Sequence, residues 1–417
     1  MSGTALAQLL GFALIPIISR LFSPIDFGVF GSFNAVTSII AAAATLEYSQ
    51  AIMLPKEKED AMNLTAFSMV CALAISIACA LFSSLFPTTM GGLIKIPGTW
   101  PLVMLVLATL VSGINQTCQA WAVRAKAFKH TSLSHIIRSL STNSIKIGLG
   151  YLRAGAPGLI ISTIIGNVLA SINLVRVMLP DFSALRSRVR WKEMLRLAAE
   201  YRDFPMYSAT QNVINALSTG LPVLLITRYF GIAVAGAYAF GVSMLQVPMA
   251  FVLTALRQVL FQKACEHQHR GDNLSTLYIR TTAVLFAMAL LPSVFLIIWA
   301  PNIFSLFFGP QWRLAGELAR SLIIWLAVSF CKLPAVLFAR IIRIQRFVFF
   351  YDLMLLVLRT FALLMGGAWL SVHQTVMLFA LVGATMNAFL IVYVGRAVKK
   401  RGGPTGWGSL RDMLIGG

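Results

Sequence analysis

The sequence predicts an all-α, polytopic membrane protein with about twelve transmembrane helices, and three observations carry that prediction. Of 417 residues, 58% are hydrophobic and 12% are charged, against roughly 45–50% and roughly 25% in soluble domains. The mean hydropathy is +0.81, and a chain so poor in polar side chains cannot cover a soluble surface. Roughly 240 apolar residues at about 20 per span give about twelve spans, with almost nothing left for a second, soluble domain. This balance excludes an ordinary cytoplasmic enzyme, a secreted disulfide scaffold and a disordered chain.

Twelve apolar segments follow along the chain: 4–19, 28–53, 62–86, 99–123, 133–152, 157–178, 204–227, 232–255, 281–303, 317–339, 347–369 and 374–395. The first is short for a span and is expected to lack a few residues at its start. It has no basic n-region and no small-residue cleavage site, so it reads as a retained span rather than a signal peptide. The fifth is the most polar, with Arg138, Ser139, Ser141, Asn143 and Lys146. The longest connection, about 179–203, lies near the middle. In it Trp191, Met194, Leu195 and Ala198 recur at i, i+3, i+4 and i+7, while Arg188, Lys192, Arg196 and Glu200 take other faces. That pattern predicts a basic amphipathic helix lying at the cytoplasmic interface.

The net charge is +20. In a soluble protein this would suggest nucleic acid. Here the basic residues fall between spans, where anionic headgroups attract them, and no base-stacking aromatics accompany them, so no nucleic-acid partner is expected. With the N-terminus placed in the cytoplasm, 24 of the 34 Lys and Arg residues fall in cytoplasmic loops and six on the opposite side. The remaining four, Arg138, Lys146, Lys332 and Arg359, lie within spans. The positive-inside rule then predicts an even number of spans with both termini cytoplasmic.

No metal, cofactor or catalytic centre is expected. The five cysteines form no C-x-x-C pair, so neither zinc nor redox chemistry is signalled. Four lie in apolar segments, where Cys behaves as a small hydrophobe. There is no phosphate-binding G-x-x-x-x-G-K-[ST] loop and no spaced His/Asp/Glu set. His267 and Asp272 match the H-x-x-x-x-D pattern of acyltransferases, but they sit in a short basic loop with no domain to hold a thioester donor.

The halves repeat. Ile18-Ser19-Arg20-Leu21-Phe22, with Gly28 and Phe30, returns as Ile226-Thr227-Arg228-Tyr229-Phe230, with Gly236 and Tyr238, at a constant offset of 208 residues. Six spans per half is an even number, so the halves share one orientation and are related about an axis along the membrane normal. The expected organisation is a lobe over 1–180, a linker over 181–203, a second lobe over 204–400 and a cytoplasmic tail over 401–417.

Several stretches resemble the Wzx-type polysaccharide repeat-unit flippases of the MATE-like multidrug and oligosaccharidyl-lipid flippase superfamily. They are Ser19-Arg20-Leu21-Phe22-Ser23-Pro24-Ile25-Asp26-Phe27-Gly28; Glu47-Tyr48-Ser49-Gln50-Ala51-Ile52-Met53-Leu54-Pro55-Lys56, followed by Asp60-Ala61-Met62-Asn63-Leu64; Glu200-Tyr201-Arg202-Asp203-Phe204-Pro205; and Phe308-Gly309-Pro310-Gln311-Trp312. The resemblance covers nearly the whole chain in order. It departs from the family pattern at Glu47, where many relatives carry Arg, and at Ser49, where they carry Glu. It implies a bacterial inner-membrane protein of two six-helix lobes around a central cavity. The implied activity flips undecaprenyl-pyrophosphate-linked oligosaccharide to the periplasmic face for O-antigen or exopolysaccharide assembly, with a polysaccharide polymerase and chain-length proteins as partners.

Such a cargo requires cations and hydrogen-bond donors within the hydrocarbon. Arg138 and Lys146 lie eight residues apart, about 12 Å along one face of a helix; Lys332 lies inside the tenth segment and Arg359 in the eleventh. Gln211 and Asn215 with Ser218 form a polar stripe, with Asn212 beside it. These residues are the substrate-binding candidates. Glu47 and Asp352 are the carboxylates a coupling ion could use. A MATE-like exporter of drugs or small metabolites is the alternative within transport. A membrane glycosyltransferase or polymerase would need a large extramembrane domain, and a non-transporting scaffold for the assembly complex is a third reading.

Overall fold

A computed structural model describes residues 11–86, 91–92, 100–270 and 274–401, and every regular element among them is helical. The helices are α1 Ile15–Leu21, α2 Pro24–Ala41, α3 Tyr48–Ala51, α4 Lys58–Leu85, α5 Trp100–Arg124, α6 Phe128–Tyr151, α7 Gly155–Leu185 and α8 Trp191–Glu200. Then follow α9 Thr210–Phe230, α10 Ile232–Arg270, α11 Leu274–Phe308, α12 Arg313–Cys331, α13 Leu333–Ile341, α14 Gln345–Trp369 and α15 Val372–Arg401. A π-helical turn, Phe204–Ala209, leads into α9.

By length and composition, ten of the described helices can cross a membrane. The twelve expected segments reduce to ten for two reasons. The first segment lies partly outside the described residues, with α1 over its visible end. The fifth forms α6, a helix of 24 residues, long enough to span but too polar to count among the ten. Several helices outrun their apolar segments. The sequence from 256 to 270 reads as a loop, yet it continues α10 for four turns beyond the apolar stretch, since a helix satisfies its own backbone whatever its side chains. Hydroxyls inside these helices do likewise: Thr65, Ser68, Ser76, Thr109 and Thr117 each donate to the carbonyl four residues back, so they carry little cost in an apolar setting. His267 and Asp272 lie outside what is described of side chains.

Helix packing groups residues 1–239 with 307–311 as one unit and residues 240–306 with 312–417 as another. In the first unit α2 starts at a capping box: the Asp26 backbone N–H donates to Ser23 Oγ, while the Ser23 backbone N–H donates to the Asp26 carboxylate. Pro24 occupies the first turn, where no donor is missed. Beyond Ala41 the chain unwinds, and Leu46 and Glu47 take left-handed φ values of 47° and 61°. The interior near this break holds Tyr48, Ile52, Met62, Leu64, Trp121 and Leu174.

The repeat in the sequence returns as a contact. A Cβ on Gly28 would lie 1.9 Å from the Ile232 carbonyl oxygen, and one on Gly236 would lie 1.9 Å from that of Pro24. Residues 24 and 232, like 28 and 236, differ by the same 208 positions. The contact is therefore reciprocal, as at a two-fold axis. Gly31 continues it, its Cβ position lying 3.2 Å from the Cβ of its own counterpart, Ala239. Beside it α9 packs on α2, with Gly220 against Ala35 and Ile39 and a buried Ser32–Thr227 hydroxyl pair at 3.0 Å.

The linker does form a helix, α8, but its apolar stripe is divided. Met194 and Leu197 are buried, whereas Trp191 is 58% and Leu195 47% exposed. The inner face is held to α4 by polar contacts. The Asn63 side chain donates to the Arg188 carbonyl and accepts from the Arg190 N–H; Arg196 pairs with Asp60 as well as with Glu193 and Glu200; Tyr48 donates its hydroxyl to the Ala198 carbonyl at 3.0 Å.

In the second unit α12 and α14 pack against α15, and Phe240 stacks on Trp312 at 4.0 Å between centroids. In the most apolar stretch of α11 only 17% of residues are buried, and Leu291 is 78% exposed. An apolar face that open fits lipid rather than water.

Candidate functional site

A break in one helix and a polar stripe on another make the first unit's cavity. On α5, Ser112, Asn115, Gln116, Gln119 and Val123 recur at i, i+3, i+4, i+7 and i+11, so they share one face. That face lines a cavity of about 780 Å³. The break after α2 adds Glu47 and the short α3 adds Ser49 and Gln50; α6 adds Arg138, α7 adds Asn167 and α9 adds Asn212.

Gln116 holds the break in place. Its amide donates to the Ala41 carbonyl at 3.1 Å and its oxygen accepts from the Thr45 hydroxyl at 3.4 Å; Thr45 also pairs with Ser49 at 3.1 Å. These bonds occupy groups that a helix would otherwise have satisfied, and they fix two residues in a backbone region costing about 1–3 kcal/mol each. The result delivers the Glu47 side chain to the wall. Glu47 is 6% exposed, and its Oε2 has no hydrogen-bond partner among the described residues.

Arg138 is half-buried and donates from Nη2 to His135 Nδ1 at 3.0 Å. Asn115 donates to Ser171 Oγ at 2.9 Å, and Ser171 donates to the Asn167 carbonyl, so the amide wall is itself braced from α7. Arg124, at the end of α5, closes the neighbouring loop by donating to the carbonyls of Ile52 and Pro55 at 2.8 and 2.7 Å.

Of the candidates read from the sequence, the cavity gathers Glu47, Arg138 and Asn212. Gln211 and Asn215 are not in its lining; they lie about 100° and 60° around α9 from Asn212, off the face that meets α2. Lys146, on α6, places Nζ 5.0 Å from the centroid of the Phe30 ring. Lys332, Asp352 and Arg359 belong to the second unit. Lys332 joins α12 to α13 and lies 5.8 Å from the Tyr351 ring centroid, next in sequence to Asp352. The Tyr351 hydroxyl donates to Asn387 Oδ1 at 2.8 Å. Arg359 is enclosed: its guanidinium carbon sits 3.7 Å from the Trp325 ring centroid and 3.8 Å from that of Phe379. Sequence reasoning missed the α5 stripe, although its period was present in Ser112, Asn115, Gln116 and Gln119. No group of three His, Cys, Asp or Glu side chains suited to a metal occurs among the described residues.

A family model described as "Polysaccharide biosynthesis protein" matches residues 17–316. Over 313 residues the chain is 25% identical to the succinoglycan biosynthesis transport protein ExoT of Rhizobium meliloti (strain 1021), an alignment covering 73% of this chain and 60% of that protein. The chain thus spans about 60% of the length of this curated relative. Among solved structures, an inward-facing multidrug resistance MATE family transporter superposes with a TM-score of 0.70 at 16% identity, covering 94% of this chain and 96% of that one. The lipid II flippase MurJ, in an inward closed conformation, gives 0.73 at 10% identity over 96% of this chain and 89% of the other. The fold is therefore that of these multi-pass membrane transporters, as the sequence resemblance implied. The chain belongs to the polysaccharide biosynthesis protein family.

Proposed function

We propose that the protein flips an undecaprenyl-pyrophosphate-linked oligosaccharide from the cytoplasmic to the periplasmic face of a bacterial inner membrane, with both termini in the cytoplasm. The observation that carries this reading is the cavity of about 780 Å³ with its amide and hydroxyl wall, in a chain with ten helices apolar enough to span among the described residues. In hydrocarbon each unpaired polar group costs several kcal/mol. A wall so rich in donors and acceptors therefore fits a cargo that is polar too. Family membership and the names of the relatives point the same way.

The division of labour follows from charge. The pyrophosphate is an anion that must cross about 30 Å of hydrocarbon. Arg138 and Lys146 lie on one helix and would hand it along that face, with Lys332 as the cation of the second unit. Asn212 and the α5 amides would take sugar hydroxyls. Arg359 has its guanidinium against two rings, Trp325 and Phe379, which supports packing rather than cargo contact.

The test is surface glycan per unit of membrane-inserted protein for Lys146→Ala and Lys332→Ala, with the exposed Lys400→Ala as control. Export is expected to fall in both variants while insertion stays at the control level. Control-like export from both would remove the cationic path. A wild-type protein that moves small drugs across vesicles but not lipid-linked glycan would return the reading to a multidrug exporter.

A further inference from the structure

We propose that the first unit's cavity is the subsite that reads the sugar, and that Glu47 sets its specificity by accepting from a glycan donor, above all a protonated amino group, while rejecting acidic sugars. This rests on the flippase reading and names what part of the cargo the cavity takes.

Three observations lead there. The first is size. About 780 Å³ falls within the roughly 300–1,000 Å³ of small-molecule sites, whereas a proton or a bare monovalent cation needs a single shell of oxygens. The second is composition. Only Glu47 and Arg138 in the lining are charged; amides and hydroxyls make up the rest of its polar wall. Alternating donors and acceptors suit hydroxyl-rich sugars, while a pyrophosphate would call for several cations. The third is Glu47 itself, a side chain more than nine-tenths buried with one carboxylate oxygen lacking any partner. A buried acceptor left unmade is costly. Here the fold accepts that cost at Oε2, which is shut off from the cavity as well as from any partner, and left-handed backbone at Leu46 and Glu47 keeps the residue in the cavity lining.

Arg138 balances Glu47 in net charge but not in place, since it already donates to His135. A sugar amine or hydroxyl would meet Glu47 where the residue lines the cavity. A uronate or pyruvylated sugar brings a second carboxylate beside it, and like charges in a low-dielectric wall repel strongly. The carboxylate expected from sequence to serve an ion is thus assigned to the cargo.

The experiment measures binding of three soluble probes to the purified full chain in lipid nanodiscs: cellotetraose, its fully deacetylated chitosan counterpart, and tetragalacturonate. The amine-bearing probe is expected to bind most tightly and the acidic one least. A charge-assisted hydrogen bond to a buried carboxylate corresponds to about ten- to a hundredfold in affinity, so Glu47→Gln should abolish that preference and Glu47→Arg should reverse it. Should both variants fail to insert, Ser112→Cys in the otherwise unchanged chain gives a second readout by mass spectrometry of its alkylation. The amine-bearing probe should slow alkylation and the acidic probe should not. The proposal is overturned if no probe binds, if all three bind alike, or if Glu47→Gln leaves the ranking intact. It is overturned equally if the substitution changes only the sodium or proton dependence of transport. Failure of the flippase reading looks different: lipid-linked glycan would not move, yet Glu47-dependent probe ranking would persist.

Discussion

Placing one methyl group at Gly28 tests the close crossing of α2 and α10. A Cβ there would sit 1.9 Å from the Ile232 carbonyl oxygen and 2.9 Å from its Cγ1, whereas ordinary contact begins at 3.4 Å. The obstacle is backbone, so no rotamer can yield, and the helices must part by about 1.5 Å, the shortfall from ordinary contact. Overpacking of this kind costs about 1–3 kcal/mol, which should lower Tm by several degrees. Gly236→Ala meets the Pro24 carbonyl at the same 1.9 Å and the Gly28 nitrogen at 2.7 Å, so its cost should match. The informative variant is the double one. Once the first methyl has pushed the helices apart, the second enters space already opened. The double variant should therefore lose clearly less than the sum of the two singles, a coupling of about 1 kcal/mol or more between positions in contact. Gly148→Ala is the control. Nothing lies within 4 Å of its Cβ position, and Ala inside a helix is favoured over Gly by up to about 1 kcal/mol. Thermal unfolding in one detergent, followed by circular dichroism, reads all four variants against wild type. Singles as stable as wild type, or a strictly additive double, would refute the crossing and with it the two-fold contact built on the 208-residue repeat.

Two further perturbations address the side chains around the sites. Gln116→Ala removes the brace on the Ala41 carbonyl and the Thr45 hydroxyl, leaving buried groups unmade at about 1–3 kcal/mol; hydrogen exchange should accelerate over residues 42–53 and stay unchanged in α14. Arg359→Lys keeps the charge but loses the guanidinium contacts with the Trp325 and Phe379 rings, a loss of about 1–2 kcal/mol that should lower Tm. Arg359→Ala should reduce the amount of folded protein itself, unlike Lys332→Ala.

The sequence carried the membrane class because hydropathy and length act on every residue of a span, and a lipid solvent leaves the backbone only one economical arrangement here, the helix. It carried the 208-residue repeat too, and the structure brings the repeat's Gly28 and Gly236 into reciprocal contact with the neighbouring backbone. The break after α2 was not legible. Neither Leu46 nor Glu47 is a residue that favours left-handed backbone, and the apolar run continues through 53 without a Pro or Gly to interrupt it. The side chain that bonds across the break is Gln116, on α5, and a distant brace leaves no local mark.

The same reason explains why the sequence pointed to single charges rather than to the α5 stripe. Intramembrane charges were sought one at a time, so Arg359 looked like a cargo ligand. Its partners, Trp325 and Phe379, lie on α12 and α15, and no spacing within α14 reveals them. The α5 stripe failed to stand out for the opposite reason. Ser112, Asn115, Gln116 and Gln119 are uncharged and sit among Ile114, Thr117 and Cys118, so the helix remains apolar enough to cross, with a mean hydropathy of 1.5. Yet four polar residues at i, i+3, i+4 and i+7 on a span must face protein or an enclosed cavity, because lipid offers them no partner. A neutral amide stripe is thus a stronger pointer to a cavity than a lone charge. A long Arg or Lys can reach an interface or stack on a ring, as Arg359 does, whereas the shorter Asn and Gln must find their partners close to where the helix puts them.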